Sequence, residues 1–371
     1  MDTREYKDLD KKEKRERQKE ITKTFSKLGF LAFGGPAAHI AMLEEETIKK
    51  KNWLSREKFL DFMGATNLIP GPNSTEMIML VGYERGGLLG LYNAGAAFIL
   101  PAMLIVMAFA YLYVDYGTLP QLATVLEGVK AAIMAVIVHA LYRLFRSAVK
   151  DKLSLIFGAV IAAIYILLGV GEIPLLFMAG LMMLLLKNRG SFLNRANSLA
   201  IPIIFLTFLK IGSVLYGSGY VLLAFLETEF VEKLGVLTSQ QILDAVAVGQ
   251  FTPGPVFTTA TFIGYVLGGI PGAIAATIGI FLPAFVISSF IKPIIPKMRA
   301  SKWLSAVLDG VNIASLVLMA VVSVKLGAAS IVGPITALIF VGSMIGIMRF
   351  KINTVWLIAA GGAITFIANL I

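Results

Sequence analysis

Two proline-glycine-proline triplets, Pro70-Gly71-Pro72 and Pro253-Gly254-Pro255, lie inside apolar stretches of this chain and are copies of one another. Both belong to a duplicated segment. Residues 24–75 recur at 207–258 with a spacing of 183, so that Thr24-Phe25-Ser26-Lys27-Leu28-Gly29 becomes Thr207-Phe208-Leu209-Lys210-Ile211-Gly212. At the same spacing Glu44 falls on Glu227, Glu46 on Glu229 and Asp61 on Asp244. Proline has no amide N–H and ends a preceding helix, so a helix is broken at the same place in each half. Paired interruptions of apolar segments in two matching halves point to the binding site of a membrane transporter.

Composition sets the solvent. The 371 residues are 57% hydrophobic and 15% charged, with a mean hydropathy of +0.80. A soluble chain of this length needs far more surface charge. Several apolar runs reach the roughly 20 helical residues that cross a hydrocarbon core of about 30 Å. The runs are continuous rather than alternating, which disfavours a β-barrel. The expected class is therefore an all-α polytopic protein of the cytoplasmic membrane. The chain has no cysteine, which excludes disulfides, thiolate metal sites and thiol redox chemistry. His39 and His139 are the only histidines, which disfavours a conventional zinc site; no cofactor is implied. The net charge of +10 reads as basic cytoplasmic loops, not as nucleic-acid binding.

Residues 1–23 form a polar tail, expected in the cytoplasm, either helical through i,i+4 pairs or disordered. They have no apolar core and no small-residue cleavage site, unlike a secretory signal. Two repeats follow, 24–190 and 198–371. In the first, an apolar stretch (25–43) is interrupted at Gly34-Gly35-Pro36, and a charged segment runs from Glu44 to Lys58. A short helix after Pro72 and spans near 87–114, 121–143, 153–170 and 173–187 complete it. In the second, Gly217-Ser218-Gly219 interrupts the run 198–226, and spans are expected near 269–291, 303–324, 330–347 and 353–371. Beyond Pro72 the spacing becomes 182, carrying Pro101 to Pro283.

Loop charge sets the relative orientation of the halves. Arg143, Arg146, Lys150 and Lys152 mark one loop as cytoplasmic, whereas its counterpart near 325–333 holds only Lys325. Conversely, 115–120 has no basic residue, whereas 292–302 has Lys292, Lys297, Arg299 and Lys302. Basic loops in one half face basic-poor loops in the other, so the repeats are expected to have inverted topology. Lys49-Lys50-Lys51 and Arg85 both read as cytoplasmic, which makes 59–83 a re-entrant hairpin with the breaker near its tip. Segment 25–43 either spans or is also re-entrant.

The candidate binding residues follow from the breakers. After Pro70-Gly71-Pro72, Asn73, Ser74 and Thr75 offer backbone and side-chain donors at a helix N-terminus, which suits an oxyanion without a full buried cation. Pro253-Gly254-Pro255 with Thr258 and Thr259 makes the same offer with fewer polar groups. The plainer alternative is a kinked structural helix. Gly34-Gly35-Pro36 either admits backbone to substrate or serves close helix packing. Asn67 and Gln250, three residues before each triplet, either donate to an anion or bond frayed carbonyls. Of the paired lysines, Lys27 reads as snorkelling to the interface and Lys210 as the better intramembrane cation. Glu76 either complements the helix dipole or carries a proton coupled to anion movement. Glu44, Glu46, Glu227 and Glu229 read as interfacial pairs or gates, and His39 as a packing residue or a titrating one.

These residues carry a family likeness. Phe33-Gly34-Gly35-Pro36-Ala37-Ala38-His39-Ile40-Ala41, and Pro70-Gly71-Pro72-Asn73-Ser74-Thr75-Glu76-Met77 with Gly82-Tyr83, resemble the chromate ion transporter family. Phe251-Thr252-Pro253-Gly254-Pro255, with Gly264-Tyr265, resembles that family's C-terminal repeat. The resemblance covers nearly all of the chain beyond the tail and is to the long, two-domain form. It implies chromate export across the cytoplasmic membrane and chromate resistance, with sulfate as a structural mimic of the substrate. Physics agrees with a tetrahedral dianion, which converging N–H and hydroxyl donors would bind. The rivals are an importer or exchanger of sulfate or another oxyanion, and an anion channel. An intramembrane enzyme finds no nucleophile–base motif. Small-residue helix faces are compatible with a homodimer.

Overall fold

The computed structural model describes residues 6–33, 35–66, 69–116, 120–148, 200–215, 221–291, 331–352 and 354–369, with isolated positions at 158–162 and 313–330. The described chain is helical. In order come α1 (Lys11–Leu31), α2 (Gly35–Glu44), a π-helix π1 (Glu45–Lys50), α3 (Arg56–Thr66), α4 (Asn73–Tyr116), α5 (Pro120–Ala148), α6 (Ile201–Val214), α7 (Leu222–Leu226), a second π-helix π2 (Glu227–Lys233), α8 (Ser239–Phe251), a 3₁₀ turn (Val256–Thr258), α9 (Thr259–Ile291), α10 (Pro334–Phe350) and α11 (Thr354–Ala368). The expected spans 153–170, 173–187 and 303–324, and the interruption at Gly217-Ser218-Gly219, lie almost wholly outside the described residues.

The sequence duplication is also a duplication of unusual backbone. π-Helices are rare and mostly single-turn, yet one occupies the same place in each half, and each contains an i,i+4 ion pair. Lys50 meets Glu46 at 3.0 Å, and Lys233 meets Glu229 at 2.7 Å. Each π-helix is followed by a left-handed residue at matching positions, Asn52 (φ 50°) and Gly235 (φ 61°).

The polar N-terminal stretch is ordered helix from Lys11. Asp10 caps α1 by accepting the Glu13 amide at 2.7 Å, and the Glu13 carboxylate accepts the Asp10 amide in return at 3.1 Å. This reciprocal box fixes the helix start. α1 then runs through the boundary near residue 23 expected from composition.

Helix α4 is one helix only by hydrogen-bond pattern. A straight helix of its 44 residues would be about 66 Å long, twice the hydrocarbon thickness. Gly86 (φ −135°, ψ 17°) and Gly87 (φ 63°, ψ −160°) break it. The arms fold back until a Cβ at Gly82 would lie 2.5 Å from the Gly90 carbonyl oxygen. Helix α9 repeats this at Gly268 (φ −154°, ψ 22°) and Gly269 (φ 60°, ψ −151°), with Gly264 against the Gly272 carbonyl. Each breaker is thus followed by a helical hairpin. The expected spans 87–114 and 269–291 are the second arms of these hairpins. Helix α1 satisfies the first turn. Gln18 Nε2 donates to the Gly86 carbonyl at 3.0 Å, and Arg85 pairs with Glu20 at 3.0 Å.

The chain divides into two compact units, each drawing on both halves. Unit one comprises residues 1–110, 200–219 and 252–301. Its core joins Phe25, Leu28, Trp53, Phe59, Met77 and Phe98. α6 lies along α9, so close that a Cβ at Gly279 would meet the Phe205 carbonyl oxygen at 2.6 Å. Tyr92 of α4 stacks on Phe285 of α9 with centroids 5.7 Å apart. Unit two comprises 111–199, 220–251 and 302–371. In it α5 packs against α11, α10 and α8, and Gly128 of α5 and Gly361 of α11 face each other's backbone, where a side chain would clash. Among the described residues three helices are long and apolar enough to cross a membrane, within Asn73–Asp115, Thr124–Tyr142 and Val256–Ile291.

Two expectations follow. Gly269 occupies a backbone region almost confined to glycine, and nothing lies within 4 Å of a Cβ built there. Gly269→Ala should therefore lose roughly 1–3 kcal/mol from backbone strain alone, read as a lower unfolding temperature in detergent; no loss would contradict the hairpin turn. Glu46 accepts hydrogen bonds from Lys27 at 2.9 Å and Lys50 at 3.0 Å. Lys27 chiefly, then Lys50, holds its carboxyl below the ordinary range against partial burial. A depressed carboxyl adds stability above its unfolded pKa of about 4.3 that is lost as pH falls through the lower native value. Glu46→Gln should therefore flatten the acid limb of the stability–pH curve while lowering stability at neutral pH.

Candidate functional site

Both breakers lie in unit one, and each is held by the other half of the duplication. The Gly71 amide donates to the Leu215 carbonyl at 2.8 Å, and the Gly254 amide donates to the Ala32 carbonyl at 3.0 Å. Leu215 is the repeat counterpart of Ala32, as Gly254 is of Gly71. The side contacts exchange in the same way: Gly71 faces Ala284, and Gly254 faces Ala102, another repeat pair. This is the i-to-j and j-to-i pattern that a two-fold relation produces. Both glycines have positive φ, 135° and 90°, which explains why glycine stands between the prolines.

At the first breaker α4 begins directly after Pro72, whose carbonyl accepts the Thr75 and Glu76 amides at 2.7 and 3.1 Å. Ser74, Thr75 and Glu76 are buried, with Asn73 and Pro70 partly so. The Glu76 carboxyl turns back over Gly71 and leaves that glycine no room for a side chain. Neither of its oxygens has a hydrogen-bond partner, nor has the Thr75 hydroxyl. A buried carboxyl without donors costs several kcal/mol unless something reaches it.

His39 ties this helix start to the second breaker. Its Nε2 lies 3.0 Å from the Ala32 carbonyl oxygen, and its Nδ1 lies 3.2 Å from the Ser74 hydroxyl. A carbonyl only accepts, so Nε2 carries the proton. In the neutral ring Nδ1 therefore accepts from Ser74. The Ala32 carbonyl thus receives both His39 and the Gly254 amide.

The second breaker is more self-contained. The Thr258 and Thr259 hydroxyls donate to the carbonyls of Pro255 and Val256, each at 2.8 Å. Pro253, Gly254, Pro255, Thr258 and Thr259 are all buried.

The remaining sequence candidates are dispersed. Gly35 and Pro36 open α2, while Gly34 and Asn67 lie outside the described residues. Lys210 is on the exposed face of α6. Lys27 is paired with Glu46 at 2.9 Å, and Glu44 with Arg56 at 3.7 Å. Gln250 and Glu227 belong to unit two; both are buried, and the Glu227 carboxylate accepts from the Ser239 hydroxyl.

A buried lysine lies elsewhere. Lys130, in the middle of α5, is 5% exposed and sits 3.6 Å from Oδ1 of Asp244 on α8. Tyr113, near the end of α4, donates to Oδ2 of the same carboxylate at 2.8 Å. Sequence reading passed over this group. The available signal was a single lysine inside an apolar span, with Asn312 at its repeat position.

These features define a multi-pass helical membrane protein built on an internal duplication, with interrupted helices held reciprocally at their breaks. Comparison with known proteins supplies the family. The chromate transporter family model matches twice, over residues 19–185 and 203–366. The chain belongs to the chromate transporter family, a family of transporters and not of enzymes. It is 32% identical over 335 residues to a probable chromate transport protein of Synechococcus elongatus, covering 84% of this chain and 85% of that protein. It is 29% identical over 368 residues to the chromate transport protein of Cupriavidus metallidurans, covering 93% and 92%. An uncharacterized transporter of Methanocaldococcus jannaschii is 26% identical over 350 residues, covering 85% and 86%. No solved structure matches.

The His39 bridge is testable by a double-mutant cycle on unfolding in detergent. His39→Ala and Ser74→Ala should each destabilise, and their effects should couple by about 0.5–3 kcal/mol. Additive effects would mean that the two side chains act independently.

Proposed function

We propose that this protein is a secondary transporter that exports chromate across the cytoplasmic membrane, with sulfate as a competing oxyanion. The observation that carries the reading is the reciprocal holding of two interrupted helices, with buried hydroxyls at the N-terminal end of α4. In this reading the two repeats are inverted, an arrangement that the loop charges favour, and the breakers sit at the tips of re-entrant segments. Irregular backbone is tolerated at that depth where protein buries it, and the cross-repeat bonds of Gly71 and Gly254 support that placement.

In this reading the anion binds at the start of α4. The Asn73 and Thr75 side chains donate, aided by helix amides that have no intrahelical carbonyl to bond. Pro253-Gly254-Pro255 closes the site from the other repeat, and Gly35 and Pro36 bring the start of α2 to it. His39 takes the one hydroxyl proton of Ser74, so Ser74 anchors the start of α4 rather than donating through its side chain. Glu76 gates by charge: ionised, it repels a dianion, and protonated, it becomes a donor. An inside-negative potential favours outward movement of a dianion by about 4.6 kcal/mol per 100 mV, twice the roughly 2.3 for one charge. Export therefore needs no further energy source, whereas uptake would.

The test is flux of labelled chromate from preloaded proteoliposomes at imposed potentials, with sulfate as competitor. Potential-driven chromate efflux is expected, falling about tenfold or more when Asn73 and Thr75 are both replaced by alanine, each donor to a charged ligand being worth roughly 1.5–3 kcal/mol. Saturable sulfate flux without chromate flux would overturn the substrate, and currents far above carrier turnover would favour a channel.

A further inference from the structure

We propose that Lys130, Tyr113 and Asp244 form a second oxyanion station, one occupied in this state by the protein's own carboxylate and opened when Asp244 takes a proton. The inference rests on the anion-transport reading above and adds a binding site to it. A carboxylate is itself a small oxyanion. An ammonium and a phenolic hydroxyl converge on the two oxygens of Asp244, which is the donor set that a free oxyanion would require.

The grip is incomplete in a way that suits exchange. Tyr113 makes a hydrogen bond of 2.8 Å, but Lys130 stands 3.6 Å from Oδ1, an electrostatic pair rather than a hydrogen bond. Oδ1 has no hydrogen-bond partner, although Asp244 is only 3% exposed. Protonating Asp244 would leave Lys130 as an uncompensated buried cation, which is strongly unfavourable until another anion replaces the carboxylate. Proton uptake and oxyanion binding at this station therefore favour one another, and linkage makes the effect mutual.

Among the described residues, Asp244 pairs with Lys130 and Tyr113 alone. α8 carries no other ionisable side chain, and α7 and α11, which pack against it, carry none. On π2, also packed against α8, Glu227 is bonded to Ser239 and Glu229 to Lys233. On α5, Glu127 is exposed and His139 lies nine residues beyond Lys130. Asp115 is exposed near the end of α4. The station is also specific to one half, because Asn312 and Ile295 stand at the repeat positions of Lys130 and Tyr113.

The experiment is equilibrium binding of labelled chromate and sulfate to the purified full chain in lipid nanodiscs, across pH. In the wild type, affinity should rise as pH falls, by up to about tenfold per pH unit, the limit for one linked proton. Asp244→Asn removes the tethered competitor, so binding at this station should be tight at every pH, leaving only the pH dependence that Glu76 gives the first site. Lys130→Gln should abolish the station's component, and Tyr113→Phe should weaken it. If Asp244→Asn does not fold, the double variant Lys130→Gln/Asp244→Asn removes both charges and should lack the station's component, leaving only the pH dependence of Glu76. Infrared difference spectra of the wild type should then show a protonated carboxyl appearing on chromate addition. Equal loss of binding in Asp244→Asn and Lys130→Gln would make the pair a strut and overturn the station, as would an unchanged pH profile in either the double variant or Lys130→Gln. Absence of any saturable oxyanion binding in the wild type would overturn both the station and the transport reading. Normal wild-type binding with wild-type profiles in all variants would overturn the station alone.

Discussion

A backbone amide inside a membrane must find a partner within the protein, because hydrocarbon offers none. A helix satisfies its own amides and carbonyls, and a proline-glycine-proline break undoes that arrangement locally. In this chain each break is repaired by the opposite repeat: Gly71 uses the carbonyl that ends α6, and Gly254 uses the one that ends α1. Much else follows from that exchange. It requires α1 and α6 to stop where they do, and it requires glycine at two positive-φ positions. It also keeps Ala284 and Ala102 small, because they face those glycines.

The hairpins and π-helices read as consequences of the same constraint. A helix that starts at a buried break must either leave through the far side or turn back. The Gly86-Gly87 and Gly268-Gly269 turns bring the arms together through close glycine contacts, Gly82 on Gly90 and Gly264 on Gly272. The first turn is bonded by Arg17 and Gln18, so the polar N-terminal helix has a structural task beyond solubility. The ion pairs inside π1 and π2 keep charged side chains engaged next to largely apolar helices.

The duplication and the breakers were legible in the sequence because prolines and glycines act locally and repeat at fixed spacing. The helical class followed from hydropathy. The apolar run near 87–114 was visible, but its folding back onto the helix after Pro72 was not. Gly86-Gly87 is a dipeptide inside an apolar run, and only its conformation marks it as a turn. At the candidate site the buried donors near Pro72 were expected, whereas the His39 bridge depends on a contact 35 residues away. Lys27 and Lys210 stand out in the sequence because they are a repeat pair, whereas Lys130 has an asparagine at its repeat position and does not. A charged side chain in mid-helix is the costlier feature, and in the sequence its partner Asp244 is marked only as the copy of Asp61.

The cross-repeat bonds also bear on how such a fold can be divided. Neither half contains the acceptor that its own breaker uses, so a single repeat is an incomplete object. Severed halves would have to recover each other by diffusion within the bilayer, and two identical copies of either half would face the same side chains on both sides of the exchange. Joining them in one polypeptide fixes the pairing at one to one and raises the effective concentration of each acceptor for its donor. It also frees the two halves to diverge, which is how a lysine can stand at position 130 while asparagine stands at 312.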